Sequence, residues 1–238
     1  MARERVYLDW NATSPLTAAA RAALVEALAT YGNPSSVHAE GRAARAALEA
    51  ARAQVAALAG AAPERVVFTS GGTEAANHAL APGLLGADRR RADVLVACAA
   101  EHVCVLEGSR FPARDRITAP VDARGVLDLD ALAATLRGLD GRRPIVALQA
   151  VNNETGVLQP VAEAAALTHA AGGLLVCDAV QAAGRIDASF AALDADALVF
   201  SAHKIGGPKG VGALVLRDAA SHIEEAQIRG GGQERGLR

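Results

Sequence analysis

Aromatic residues are scarce: Phe, Trp and Tyr make up 3% of the 238 residues. Alanine, leucine and valine must therefore build the core, and alanine-rich helices form readily while their ends are weakly marked. Cysteine is also rare. Cys98, Cys104 and Cys177 show no CxxC pair and no metal-ligand spacing, so no metal site is expected. Their odd number argues for reduced thiols, and Cys98 and Cys177 fall in apolar runs as inert core residues. An excess of one charge is missing, since 24 basic and 26 acidic residues leave a net charge of −2. That excludes a general attraction to nucleic acid or membrane. No apolar stretch approaches the roughly 20 residues of a membrane span. The start, Met1 to Arg5, runs into Val6-Tyr7-Leu8-Asp9 without an apolar secretory segment, so the expected location is cytoplasmic.

What is present is alternation. Val66–Thr69 reads as a strand, and Gly71-Gly72 precede a helix from Thr73 to Leu80. Val94–Ala97 is the next strand, with a short helix over 102–108. Residues 129–136 read as helix, 145–148 as strand, and 161–171 as a helix closed by Gly172-Gly173. Apolar strands then end at Asp178 and Ser201, and Gly212–Leu216 follows. Strands that are apolar throughout and separated by helices imply an α/β fold, its mostly parallel sheet covered by helices on both faces. Such sheets bind ligands beyond the carboxyl ends of their strands. Two further helices, 17–30 and 39–59, precede the sheet. On the second, Arg42, Arg45, Glu49 and Arg52 recur at three-to-four-residue spacing, the mark of a solvated face.

The residues that carry chemistry sit at strand ends. Lys204 follows the run Ala197–Phe200 and precedes a glycine-rich turn. A lysine held there instead of in solvent can lose its proton and form a Schiff base with an aldehyde. Asp178 closes Leu174–Cys177. A carboxylate and an amine on two strand ends are the pyridinium partner and imine-forming group that pyridoxal phosphate needs. Alternatively, Asp178 is a helix N-cap and Lys204 a surface lysine.

Ser70-Gly71-Gly72-Thr73-Glu74 joins strand to helix, where free N–H groups attract a phosphate and Thr73 adds a hydroxyl. The alternative is a plain turn with Thr73 as N-cap. His102 can stack on a flat ring and move protons, or be an ordinary loop histidine. Asn152-Asn153-Glu154-Thr155-Gly156 offers amide donors or a simple turn, and Gln181 can reach a phenolate oxygen.

Taken in order, Tyr7–Pro15, Gly32–His38, Thr69–Glu74, Glu101-His102, Val151–Gly156, Asp178–Gln181, Ser201–Lys204 and Gly231–Gly236 resemble a cysteine desulfurase. The likeness is to the iron–sulfur cluster assembly and nitrogenase maturation branch of the class V aminotransferases, and it spans essentially the whole chain. It implies the large domain of the fold type I pyridoxal phosphate transferases over residues 16–238, after an N-terminal segment 1–15. It also implies site roles. Lys204 would bind the cofactor covalently, Asp178 would pair with the pyridinium, and His102 would stack on the ring. Asn153 and Gln181 would address the ring oxygen, while Gly72, Thr73, Ser201 and His203 would hold the phosphate.

The implied reaction converts L-cysteine to alanine and a protein persulfide, in a homodimer that passes sulfur to an acceptor protein. The nucleophilic cysteine, the smaller C-terminal domain and a substrate-binding arginine would lie beyond this sequence, in the same or a second polypeptide. None of Cys98, Cys104 or Cys177 occupies the nucleophile's motif, and Cys104 reads as a small helix residue near the ring. Such a piece alone would be inactive and would expose apolar surface. Two other readings remain: another class V enzyme, such as an aminotransferase or selenocysteine lyase, and a scaffold without turnover.

Overall fold

Short apolar runs bounded by turn residues make the strands, and alanine-rich stretches between them make the helices. The computed structural model describes residues 5–238. Met1 to Glu4, the beginning of the expected 1–15 segment, lie outside the described residues. In chain order the elements are α1 (Ala18–Leu28), α2 (Ala39–Ala59), β1 (Val66–Thr69), α3 (Gly72–Ala79), β2 (Leu84–Leu85), β3 (Val94–Cys98) and α4 (Val103–Leu106). There follow β4 (Arg116–Ala119), α5 (Leu129–Arg137), β5 (Pro144–Gln149), α6 (Val161–Ala170), β6 (Leu174–Asp178) and α7 (Phe190–Leu193). The last are β7 (Ala197–Ser201), β8 (Gly212–Leu216), β9 (His222–Ile223) and α8 (Gln233–Gly236).

The principal sheet has the order β1-β8-β7-β6-β5-β3-β4. From β7 to β4 every neighbouring pair is parallel, and β8 runs antiparallel to both β7 and β1. The mostly parallel α/β sheet expected from the sequence is therefore present. Reversing β8 alone leaves β1 pointing with the parallel strands, so β1, β3, β5, β6 and β7 all deliver their carboxyl ends to one side.

Side-chain alternation splits the core in two. Val94, Val96 and Cys98 face a cluster with Ala56, Leu132, Leu136 and Ala164 from α2, α5 and α6. Leu95 and Ala97 face the other cluster, with Ala75, Ala76, Ala79 and Val105 from α3 and α4. Alanines predominate on the helices, letting them lie close to the sheet without large side chains.

Three departures from the sequence reading have physical causes. Strand β4 was not expected, because Arg116-Ile117-Thr118-Ala119 is only partly apolar. It is the edge strand, half-buried and paired only with β3. Helix α7 is one turn and too short to show a helical period. The most consequential correction is on α2: Arg52 is not on a solvated face but only 4% exposed. Glu49, three residues back on the same helix, is one partner, but the partner that buries it, Glu234, lies 182 positions away, beyond the reach of a periodicity argument. By contrast α1 buries none of its residues, and Leu24, Val25 and Leu28 are exposed with Val6, Leu8, Trp10, Tyr31 and Val37. This is the exposed apolar surface expected above. Among the described residues no helix is long and apolar enough to cross a membrane.

Candidate active site

The carboxyl ends of β1, β5, β6 and β7, with the loop after β3, enclose a cleft of about 270 Å³. Gly72, Thr73, His102, Asn153, Asp178, Gln181, Ser201, His203 and Lys204 all line it. These are the nine residues singled out in the sequence, drawn together from five loops. Gln149, Val151, Val180 and Cys104 complete the lining. The two valines carried no chemical signal in the sequence, because an apolar wall differs from core only by its position.

Lys204 and Asp178 come from adjacent parallel strands. Lys204 follows β7 in a short 3₁₀ turn and is half-buried. Its Nζ donates to the carbonyl of Asn11 at 2.5 Å. Burial pushes its pKa below that of an ordinary lysine, opposed by the negative charge of Asp178. Asp178 is pushed the other way: burial raises its pKa, while the Val180 N–H, His102 and Lys204 hold it down. Its Oδ1 accepts from Val180 N–H at 2.9 Å, a local turn contact that fixes the carboxyl group at the cleft's edge. No helix starts here, so Asp178 is not the helix N-cap of the alternative reading.

A second carboxyl group lies behind. Glu101 is 6% exposed; its Oε1 accepts from Gln149 N–H at 2.6 Å, and its Oε2 has no partner. Burial, reinforced by the Asp178 charge, raises its pKa to about 8. At neutral pH the proton therefore favours Glu101, and Asp178 is the carboxyl group that faces the cleft.

At one end of the cleft, α3 starts at Gly72, and no side chain caps it. Its first N–H groups are accordingly available to a ligand. Thr73 is inside this helix, not its N-cap. A Cβ on Gly72 would stand 2.9 Å from Val180 Cγ2, so glycine is what lets the backbone approach here. Ser201 and His203 flank the same end, where a neighbouring hollow adds Ser70, Lys209 and Gly210. Burial and the charges of Lys204 and Lys209 lower the pKa of His203, and its Nδ1 lies 3.1 Å from Thr13 Oγ1. Across the cleft, His102 caps α4 by accepting from Cys104 N–H on Nδ1 at 3.1 Å. This leaves Nε2 as its second ring nitrogen.

Asn152 is the turn former, accepting from the Glu154 and Thr155 N–H groups, each at 2.9 Å. Asn153 lines the cleft, its amide donating to Glu154 at 2.6 Å. The Gln181 amide is also engaged: it donates to the Asn11 carbonyl at 2.8 Å and accepts from Arg185 at 2.7 Å. Asn11, which the sequence reading did not treat as a site residue, thus bridges Lys204 and Gln181. The cysteines are poor nucleophiles here. All three are buried, with burial pushing Cys98 to about 11, Cys104 to about 12 and Cys177 well above the ordinary thiol value.

These features suit a flat, phosphorylated aldehyde. An amine of lowered pKa, a half-buried carboxyl group, a flanking imidazole and an uncapped helix start with hydroxyls are the donor set pyridoxal phosphate requires. Comparison with known proteins agrees. The family model described as aminotransferase class-V matches residues 6–235. A cysteine desulfurase of Cereibacter sphaeroides is 44% identical over 241 residues, covering 99% of this chain and 60% of the relative. A NifS-like protein from Rickettsia africae superposes with a TM-score of 0.86 at 31% identity, over 99% of this chain and 64% of that one. SspA, solved in complex with cysteine, has a TM-score of 0.82 at 30% identity, over 98% of this chain and 67% of the other. The chain thus spans about three fifths of the length of the curated relative named here.

Proposed function

The chain belongs to the class V aminotransferase family, a family of pyridoxal phosphate enzymes, and from that premise we propose that it is the cofactor-binding part of a cysteine desulfurase. The observation that carries the proposal is the meeting of Lys204 and Asp178, on neighbouring strand ends, with seven other polar or glycine positions in one cleft. Bound there, pyridoxal phosphate supplies an electron sink that labilises bonds at an amino acid's α- and β-carbons.

The residues of this chain hold and polarise. Lys204, its pKa lowered by burial, offers a free amine at lower pH than a solvated lysine would. Asp178 would pair with the pyridinium nitrogen and keep it protonated. Gly72, Thr73, Ser201 and His203 would hold the phosphate, with the N-terminus of α3 offering N–H groups that no side chain caps. His102 would stack on the ring, with Nε2 left to hold or move a proton. Asn153 and Gln181 would address the ring oxygen with the amide hydrogens not already given to Glu154 and Asn11.

The substrate is L-cysteine and the products are alanine and a persulfide. The sulfur passes to a thiol contributed by a part of the protein outside this sequence, because Cys98, Cys104 and Cys177 are held protonated. A second copy of the chain and a sulfur-acceptor protein of an iron–sulfur or thiolation pathway are the partners read with this function, and the cytoplasm is its compartment. The full-length protein, incubated with L-cysteine, should release alanine and persulfide in equal amounts, whereas residues 1–238 alone should not. Persulfide formation by that piece would overturn the assignment of the nucleophile.

One observation favours a second reading: no thiol of the cleft is competent. Amino transfer needs none. Keto-acid-dependent loss of an amino donor, without sulfur release, would establish that reading instead.

A further inference from the structure

Arg52 and Glu234 are 182 positions apart, yet they form the most enclosed ion pair in the described part of the molecule, their side chains 4% and 9% exposed. Arg52 meets the carboxylate with both arms of its guanidinium, at 2.6 and 3.0 Å. It also donates to the carbonyl of Val66 at 2.9 Å and lies over the Phe68 ring, 4.9 Å from its centroid. Glu234 Oε2 accepts in turn from Phe68 N–H at 2.8 Å. Since β1 pairs only with β8, that N–H lies on the open edge of the sheet, and the carboxylate takes the place of a neighbouring strand.

The turn that presents Glu234 is strained. Glu234 and Arg235 both have positive φ, 47° and 59°, a conformation that persists only where surrounding contacts over-determine it. Arg235 donates to the carbonyl of Glu64 at 2.5 Å. At the far side of the same turn, Arg238 donates to Glu74 Oε1 at 2.6 Å, and Glu74 Oε2 accepts from Ser70 N–H at 2.7 Å. The segment 234–238 therefore grips the glycine loop from both sides. It holds Phe68 before the loop, and Glu74 and Ser70 within it.

We propose that the Arg52–Glu234 and Arg238–Glu74 pairs are a brace that sets the geometry of Ser70-Gly71-Gly72-Thr73 for a phosphate group, making Arg52, Glu234 and Arg238 positioning residues for cofactor binding. This rests on the cofactor reading given above. None of the three touches the cleft, so they act through the loop alone.

The test compares pyridoxal phosphate with pyridoxal, which has the same ring and aldehyde but no phosphate. Affinities are measured by absorbance titration of the full-length apoprotein. R52M, E234Q and the charge-balanced R52M/E234Q should each weaken pyridoxal phosphate about tenfold while leaving pyridoxal within about twofold of the parent. R238M, at the half-exposed pair, should weaken the phosphate form about threefold, and it keeps the test open if the buried variants fail to fold. R52K should recover little, because an ammonium cannot reproduce the forked contact. Variants that lose thermal stability but keep the parent's preference for the phosphorylated ligand would overturn the brace and leave an ordinary structural ion pair. So would equal weakening of both ligands. A parent protein that binds neither ligand would sink the cofactor reading itself, a result distinct from parent-like discrimination in the variants.

Discussion

The two ends of the sheet contain similar residues and treat them oppositely. At the amino ends of β6 and β7, Asp196 accepts from Leu175 N–H at 2.7 Å and contacts His169 Nε2 at 2.8 Å, and Asp194 is paired with Arg217. Nearby, Arg143 donates to the Gly172 carbonyl at 3.0 Å and pairs with Asp88 at 2.7 Å. Every acid there has a base or an N–H, as buried polar groups require. At the carboxyl ends, among the described residues, Lys204 has no carboxylate within ion-pair distance, Glu101 keeps an unpartnered buried oxygen, and α3 starts uncapped. Saturated polar groups hold a fold together, whereas unsaturated ones raise its energy and make it ready for a ligand.

Substitutions at the two ends should therefore fail in different ways. The largest effect belongs to Lys204→Ala. It should abolish covalent capture of pyridoxal phosphate, read as loss of the pyridoxyl-lysine peptide after borohydride reduction, and lower full-length activity roughly 1000-fold or more, with little change in thermal stability. Asp178→Asn should cost roughly 100-fold in activity. Because the Asp178 charge raises the pKa of Lys204, its removal should also move the pH midpoint of cofactor capture on Lys204 downward. A midpoint that rises would show that the two groups do not share a field.

Asp196→Ala inverts the pattern. It orphans Leu175 N–H and His169, and should cost about 2 kcal/mol in denaturant unfolding while leaving cofactor affinity at the parent value. Glu101→Gln should leave stability near the parent's at about pH 4 and below, and its effect depends on pH. The carboxyl group titrates near 4.5 when unfolded and at about 8 when folded. The folded state thus binds more protons between those values, and stability falls as pH rises through that window. The glutamine variant should show a flatter curve, its advantage over the parent growing as pH rises toward about 8. Parallel curves would mean that Glu101 is ionised in the fold.

Local pattern carried much of this molecule. The runs of β1, β3, β5, β6, β7 and β8 were readable because strands buried on both faces are apolar at every position. Seven of the cleft residues were readable because strand-to-helix turns reveal themselves through glycine, asparagine and abrupt charge after an apolar run, whereas Ser201 and His203 came from the family resemblance. Edge strand β4, one face open, showed no such signal. Asn11 escaped notice because it contributes a backbone carbonyl, and any residue has one.

Composition and periodicity were thus enough to establish an α/β sheet with its chemistry gathered at strand ends, since both follow from burial and turn geometry acting over a few residues. The fate of Arg52 was beyond them. A periodic pattern reports which side of a helix a residue occupies, but the partner that makes a buried charge tolerable is chosen by folding. Here that partner is Glu234, brought across from the other end of the chain to the edge of β1.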